Sequence, residues 1–272
     1  FPKALFVFMA LRLGKRKMPR REDKQLKEAL KRTNKVLDDL SLSLLASLIN
    51  AKAFKSLDYP IAQGKEAVVF RATKHDGSFV AVKVFKFETT AFRNVIPYIE
   101  GDPRFNIDAV KHSKRGLVKV WTRKEFANLS ACFQAGARVP QPFALKENII
   151  VMGFIGVNGV PCALLNEVVL QNPKEIFRKI VESVRTMFKA GIVHSDLSPF
   201  NVMLLQTKNA DGSYEETPFI IDLAQGVSIK HPKAQEFLER DARNLCAFFA
   251  KAGVKKKPED VVAFVKGGKK SV

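Results

Sequence analysis

The sequence predicts an α+β protein of two lobes, a β-rich lobe over residues 58–151 and a mostly helical lobe over 156–272. β-Branched and aromatic residues alternate over 79–85, which is typical of a strand. Apolar residues recur at spacings of three and four over 122–134, 175–189 and 234–250, which predicts helices there. Residues 152–155 are predicted to form the hinge between the lobes.

The segments outside these elements are predicted from charge and apolar pattern. Residues 1–57 read as a basic N-terminal segment with a helical extension, made of a charged helix over 22–40 and an apolar-faced helix over 42–57. Residues 87–120 are predicted to be a long loop, and the C-terminal end is a basic tail. The apolar run at 4–11 is too short to span a bilayer, so no membrane association is expected.

The stretch His194-Ser195-Asp196-Leu197-Ser198-Pro199-Phe200-Asn201, followed by Asp222 after the apolar run 219–221, indicates phosphoryl transfer. Asp-x-x-x-x-Asn is the spacing that protein kinases use for a base and a magnesium ligand on one loop. Asp196 is therefore predicted to be the catalytic base, with Asn201 and Asp222 as metal ligands. Because such pairs also arise by chance, the interpretation depends on motifs upstream.

The upstream motifs are a strand lysine and a phosphate loop. Val80-Ala81-Val82-Lys83 matches the V-A-I-K pattern of a phosphate-binding lysine. Before it lies a loop with a single glycine, Gly64, followed by Lys65. A lysine on the solvent face of a strand and an ordinary turn are the alternatives. The order of the motifs along the chain favours a nucleotide-binding role for both.

Glu125 is the predicted partner of Lys83. It lies in a segment with apolar residues at Phe126, Leu129 and Phe133, so it is expected on a helix. The alternative is a solvated helix glutamate.

Together these motifs resemble the RIO kinases, and within that family the type-one branch in its short archaeal form. The resemblance extends from about Leu40 to Val254 and rests on these segments: Gly64-Lys65-Glu66-Ala67, Tyr98-Ile99-Glu100-Gly101-Asp102-Pro103-Arg104-Phe105, His194-x-Asp196-Leu197-Ser198, Ile221-Asp222-x-x-Gln225, His231-Pro232, Glu236-Phe237-Leu238 and Arg240-Asp241.

The resemblance implies a serine/threonine kinase or ATPase that uses ATP with Mg²⁺ or Mn²⁺, phosphorylates itself and acts in maturation of the small ribosomal subunit. It also implies that Asp222 can accept a phosphoryl group. A two-lobed protein-kinase-like fold is expected, without activation segment or peptide-binding subdomain, because few residues follow Asp222 and the A-P-E motif is missing. The implied nucleotide-binding residues are Gly64, Lys65, Lys83, Glu125, Met152, Gly153 and Ile155. The catalytic residues are Asp196, Asp222 and Lys83, and the candidate phosphorylation sites are Thr89, Thr90 and Ser113.

The formal net charge of +19 indicates a polyanionic partner. The basic excess lies in three windows, 12–35, 104–124 and 251–270, whereas ATP needs only one or two cations. RNA is the predicted partner, in the form of the pre-small-subunit particle and its rRNA, with no DNA specificity. The alternative is a solvated surface adapted to a hot or saline cell.

Cys132, Cys162 and Cys246 show no paired spacing, which is typical of a reducing cytoplasm and does not predict a zinc site. Two other functions remain open. One is a slow, nucleotide-switched, rRNA-binding assembly factor. The other is a small-molecule phosphotransferase of the antibiotic-kinase type, which shares the Asp…Asn and Asp motifs but not the Glu-Gly-Asp-Pro-Arg-Phe segment.

Overall fold

A computed structural model describes residues 37–87, 95–106, 108, 112–208 and 214–268. They form two compact units. The first comprises the described residues up to 87 together with Phe143–Phe154, and the second comprises the described residues from 95 to Pro142 and from Ile155 onward. The chain enters the second unit after Phe154, inside the segment for which the sequence predicts a hinge.

The first unit is a five-stranded sheet with one helix. Helix α1 spans Asp39–Asn50, and the strands are β1 Ser56–Gln63, β2 Ala67–Thr73, β3 Phe79–Phe85, β4 Pro142–Lys146 and β5 Ile149–Gly153. The strand order is β1-β2-β3-β5-β4. Leu45 and Leu48 of α1 join a buried cluster with Val82, Val84 and Val151 of the sheet. This apolar burial is the main source of stability of the unit.

The predicted helix over 42–57 is too long. Helix α1 ends at Asn50, and Leu57 lies in β1. The helix stops because Lys52 adopts a positive φ of 60°, outside the helical region. Lys55 then donates from its backbone N–H to the carbonyl of Thr73 at 2.7 Å, which starts the pairing of β1 with β2. The predicted charged helix over 22–40 lies almost wholly outside the described residues.

The second unit is mostly helical. Its helices are α2 Ile96–Ile99, α3 Lys114–Gln134, α4 Pro173–Lys189, α5 Ala234–Lys251 and α6 Pro258–Val265. Its short strands pair as β6 Gly156–Val157 with β7 Val160–Pro161, β8 Ile192–Val193 with β11 Val227–Ser228, and β9 Val202–Lys208 with β10 Tyr214–Ile220. The catalytic loop predicted at 194–201 therefore lies between β8 and β9.

Helices α4 and α5 meet through their apolar faces. The ring centroids of Phe177 and Phe249 lie 5.2 Å apart in an edge-to-face contact. On α5 the sequence predicts a buried side made of Phe237, Leu238, Leu245, Phe248 and Phe249. Four of these residues are buried, and the prediction for Phe248 is wrong because that residue is only partly buried. Phe248 still contacts Phe249 edge-on at 5.2 Å.

Helix α3 begins earlier than predicted and belongs to the second unit, whereas the sequence placed it in the β-rich lobe. Its start is set by Ser113, whose Oγ accepts the N–H of Gly116 at 3.1 Å. Buried Val118 and Trp121 extend its apolar face toward the N-terminus. The predicted loop over 87–120 is shortened accordingly and contains α2. Hydrogen bonds from Lys124 to the chain after Asp222 tie α3 to the second unit.

Within the described ranges, none of the helices combines the length and the apolar character that a membrane crossing requires.

Candidate active site

The catalytic loop brings Asp196 and Asn201 together. The Asn201 amide nitrogen donates to the Asp196 carbonyl at 2.8 Å and to Asp196 Oδ2 at 3.2 Å. Gln225 Nε2 donates to the same carboxylate oxygen at 3.1 Å. The sequence assigned no role to Gln225. Two amides thus hold the carboxylate of Asp196 in one orientation, and the amide oxygen of Asn201 remains the atom suited to a metal.

Asp222 is attached to the same loop through the residue before it. The backbone N–H of Ile221 donates to the Asn201 carbonyl at 2.9 Å. His194 Nδ1 accepts the N–H of Asp196 at 3.3 Å, so the ring proton lies on Nε2 and is donated to the Ile221 carbonyl at 3.1 Å. His194 therefore couples the start of the catalytic loop to the residue preceding Asp222.

The electrostatics of this cluster suit a cation. Burial raises the pKa of Asp196 above its usual value, and the negative charge of Asp222 pushes it in the same direction. No group of three or more His, Cys, Asp or Glu side chains in the described part of the chain is arranged to hold a metal. Mg²⁺ commonly uses one or two carboxylates and completes its shell with water and substrate phosphates. Asn201 and Asp222 fit that mode of binding.

Side chains of helix α5 bind the backbone of the catalytic loop. Asp241 is buried, and its two carboxylate oxygens accept the N–H groups of Ser195 at 2.8 Å and Leu197 at 2.9 Å. Arg240 donates to the Ser195 carbonyl, and Asn244 donates to the Leu197 carbonyl at 3.3 Å. The sequence motifs do not predict this role for Asp241. Its signal was a carboxylate at helical spacing within the apolar face of α5.

Two non-glycine residues of the site have left-handed backbones, Ser195 with φ 67° and Asp222 with φ 59°. Such conformations cost free energy for residues with a Cβ and persist where surrounding bonds enforce them. At Ser195 the enforcing bonds come from Asp241 and Arg240.

Lys83 lies in the middle of β3, paired with Val69 on one side and Ile150 on the other. It is 7% exposed, so the alternative of a solvent-facing lysine is wrong. Its Nζ lies 4.9 Å from the centroid of the Phe85 ring.

The loop at Gly64 connects β1 and β2. The Gly64 N–H donates to the Ala67 carbonyl at 2.9 Å, and Lys86 Nζ donates to the Gly64 carbonyl at 2.8 Å. A Cβ at Gly64 would lie 3.7 Å from the Ala67 carbonyl oxygen, an ordinary contact. The fold itself thus tolerates a side chain there, and close approach to a phosphate stays a prediction, as does the role of the exposed Lys65.

The predicted adenine-binding segment starts in β5. Met152 pairs with Ala81 and Gly153 with Val80. The carbonyl of Ile155 accepts the N–H of Cys162 at 3.0 Å. The contacts of Met152, Gly153 and Ile155 with adenine stay predictions.

Glu125 lies on α3 and is 2% exposed, so the alternative of a solvated glutamate is wrong. Lys83 and Glu125 belong to different units, and their pairing stays a prediction. Ser113 is exposed and caps α3, while Thr89 and Thr90 lie outside the described residues.

A polar cluster that the sequence did not predict surrounds Lys124. The ammonium of this buried lysine donates to the carbonyls of Ala224, at 2.9 Å, and Gly226. Asp102 is also buried and binds the Arg104 guanidinium through both carboxylate oxygens, at 2.9 and 2.7 Å. The family-specific Glu-Gly-Asp-Pro-Arg segment thus lies in the second unit near α3.

Burial lowers the pKa of Lys124 to about 7, with the Asp102 and Glu125 carboxylates opposing this change and Arg104 adding to it. In the unfolded chain the pKa of lysine is about 10.4, so between about pH 7 and pH 10 the unfolded state binds more protons. The free energy of unfolding is therefore expected to rise with pH in that window, relative to Lys124→Met, by at most about 1.4 kcal/mol per pH unit. Denaturant titrations of both proteins at several pH values would measure this difference, and identical pH slopes would contradict it.

Comparison with known proteins identifies the family. The family model described as RIO domain matches residues 68–262. The chain belongs to the RIO kinase family. A RIO-type serine/threonine-protein kinase Rio1 of Haloferax volcanii is 38% identical to this RIO kinase over 232 residues, covering 85% of this chain and 76% of the relative. The Rio1 of Thermoplasma acidophilum is 37% identical over 199 residues, covering 73% and 99%. Human RIO1 is 33% identical over 222 residues, covering 80% of this chain and 38% of the relative.

Solved structures agree with the predicted fold. The Rio2 kinase of Chaetomium thermophilum, in a complex with ADP, Mg²⁺ and phosphoaspartate, superposes with a TM-score of 0.65 at 24% identity, covering 83% of this chain and 66% of that one. This likeness concerns the fold alone. The predicted α+β, two-lobed, protein-kinase-like fold of this RIO kinase is confirmed.

Proposed function

We propose that this RIO kinase binds ATP with Mg²⁺, or Mn²⁺ in its place, and transfers or releases the γ-phosphoryl group. The observation that carries the proposal is the arrangement of Asp196, Asn201 and Gln225 with Asp222. The carboxylate of Asp196 is held by two side-chain amides, and the negative charge of Asp222 acts on it. Two carboxylates arranged in this way suit a metal-assisted phosphoryl transfer.

Each residue has a distinct role in this proposal. Asn201 and Asp222 hold the metal ion, which offsets the charge of the phosphates. Asp196 orients the acceptor and takes its proton, and its raised pKa brings it nearer to the range in which a base works well. In the first unit Lys83 contacts the phosphates, Gly64 and Lys65 cover them, and Met152, Gly153 and Ile155 contact adenine.

Two acceptors are compatible with this chemistry. One is a serine or threonine hydroxyl, including self-phosphorylation at Thr89, Thr90 or Ser113. The other is the Asp222 carboxylate: one of its oxygens would bond to the γ-phosphorus as the bond to the β-phosphate oxygen breaks, ADP would leave, and water would later hydrolyse the acyl phosphate. The Rio2 kinase that shares this fold was solved with ADP, Mg²⁺ and phosphoaspartate, and whether this chain uses the same acceptor is decided by the test below.

The proposed partner is the rRNA of a pre-small-subunit particle, bound in the cytoplasm. Arg115, Lys119 and Arg123 recur every four residues along α3, which puts them on one face of that helix. A basic face of this kind suits a phosphate backbone. Turnover of ATP would then serve binding or release of the particle, and a slow nucleotide-switched assembly factor is the alternative.

The test measures release and transfer of labelled γ-phosphate from ATP, with Mg²⁺ or EDTA and with or without small-subunit particles. We expect turnover that requires Mg²⁺, is stimulated by particles and loses that stimulation as salt rises. Hydroxylamine-labile label on the protein is expected for the aspartyl route, and hydroxylamine-stable label for hydroxyl transfer.

Matched arginine variants control the particle experiment. Arg123→Gln on the basic face of α3 should weaken stimulation, whereas Arg243→Gln, an exposed arginine of α5, should not. Turnover indifferent to particles, with label moving to added protein, would indicate a general protein kinase. No turnover under any condition would overturn the proposal and leave only a binding role.

A further inference from the structure

The loop that follows Asp222 is held from α3 by two side chains. Lys124 Nζ donates to the carbonyls of Ala224, at 2.9 Å, and Gly226. Asn128 Nδ2 donates to the carbonyls of Leu223, at 2.9 Å, and Gly226, at 2.7 Å. Lys124 and Asn128 lie one helical turn apart, so they reach the loop from the same face of α3.

Both side chains are 0% exposed, which makes this arrangement costly to build. A buried ammonium loses its hydration and must recover that free energy from nearby acceptors. Here the acceptors are main-chain carbonyls of the loop, assisted by the Asp102 carboxylate and by the Trp121 ring, whose centroid lies 5.1 Å from Nζ. An apolar side chain would fill the same volume without that cost. The hydrogen bonds from Lys124 to the loop are therefore the property that an apolar residue could not supply.

The loop is also tightly packed against these donors. A Cβ at Gly226 would lie 2.9 Å from Asn128 Nδ2 and 3.1 Å from the Leu223 carbonyl oxygen, so a side chain there would displace the contact. Leu223 and Ala224 are 1% and 3% exposed. The loop therefore has little freedom to take another path while these bonds persist.

The conformation of this loop determines the direction of two site residues. Asp222 enters it with a φ of 59°, and Gln225 leaves it to bind the Asp196 carboxylate at 3.1 Å. A shift of the carbonyls between them would move both side chains. We propose that Lys124 and Asn128 are positioning residues that hold the metal-binding Asp222 and the Asp196-orienting Gln225 in place. This inference rests on the proposed metal-binding role of Asp222.

The expected consequence concerns the metal more than the nucleotide. Groups that orient a metal ligand without touching the metal typically change affinity or activity by about 10- to 100-fold when removed. Lys124→Met and Asn128→Leu keep the approximate size of each side chain and remove its donors. Each is expected to raise the Mg²⁺ concentration for half-maximal ATP turnover by about 10-fold or more. Affinity for ADP measured in EDTA should stay at the wild-type value.

Thr122→Val is the matched control. Thr122 is buried on the same helix, but its hydroxyl donates to the Val118 carbonyl within α3 at 2.8 Å and not to the loop. Its removal is expected to leave the Mg²⁺ dependence at the wild-type value even if the midpoint of thermal unfolding falls. Folding of every variant is checked by thermal unfolding first. Asn128→Ala, which is smaller and also removes the donor, replaces Asn128→Leu if the latter does not fold.

Asp222→Asn separates the two hypotheses. If Asp222→Asn leaves the Mg²⁺ dependence unchanged, the proposed metal site is wrong. Suppose that Asp222→Asn raises the Mg²⁺ concentration for half-maximal turnover, while folded Lys124→Met and Asn128→Leu match the wild type. The positioning role is then overturned and the metal site stands. The positioning role would also be overturned if Lys124→Met and Asn128→Leu lost as much affinity for ADP in EDTA as in Mg²⁺, because that pattern indicates general damage to the protein.

Discussion

Asp196→Ala is expected to lower the kcat of ATP turnover by about 100- to 10,000-fold, the usual contribution of a positioned acid or base. The side-chain amides of Asn201 and Gln225 donate hydrogen bonds to this carboxylate. Its loss therefore removes both the base and the acceptor of those two hydrogen bonds. The Michaelis constant for ATP should change little, because the proposed nucleotide contacts lie elsewhere. Steady-state phosphate release over a range of ATP concentrations would separate the two effects.

Asp196→Asn is the control for shape. It fills the same space without a basic carboxylate, so it should lose turnover to the same extent as the alanine variant. Both variants are expected to bind ADP like the wild type. An asparagine variant that retains wild-type turnover would show that Asp196 is not the base.

Asp241→Ala is expected to reduce stability and activity together. The change leaves the buried N–H groups of Ser195 and Leu197 without their acceptors, at a cost of roughly 1–3 kcal/mol each. It also removes the bonds that enforce the left-handed backbone of Ser195. Denaturant unfolding would measure the loss of stability, and turnover at a temperature where the variant is still folded would measure the loss of activity.

Glu239→Ala is the matched control for that experiment. Glu239 is a carboxylate on the same helix, only partly buried, and its contacts are with Gln235 and Arg243 on the surface of α5. Its removal should change the unfolding free energy by less than about 0.5 kcal/mol and leave turnover unchanged. Equal effects of both variants would contradict the anchoring role of Asp241.

Local pattern was sufficient for the parts of the site that lie close together in sequence. Asp196 and Asn201 project from one short loop, as their spacing predicted, and the structure adds a hydrogen bond between them. Lys83 was assigned from the alternation of its own strand, and it is buried in β3. The apolar face of α5 was predicted from helical spacing, apart from Phe248.

The ends of helices and strands were harder to predict from the sequence, since each end depends on one hydrogen bond or on the conformation of one residue. The sequence extended the first helix to Leu57, but a left-handed Lys52 and the pairing of Lys55 with Thr73 end it earlier. Helix α3 begins at Lys114 because Ser113 caps it, and a serine is one of the residues that most often cap a helix N-terminus.

The sequence by itself determined the family, the fold class and the loop that carries Asp196 and Asn201, because these depend on motifs whose residues are neighbours along the chain. Only the tertiary structure decided which residues hold that loop. Asp241 reaches Ser195 and Leu197 from helix α5, and Lys124 and Asn128 reach the chain after Asp222 from helix α3. Such bonds join residues far apart in sequence, and a buried polar side chain is recognisable as an anchor only when the backbone group it binds is known.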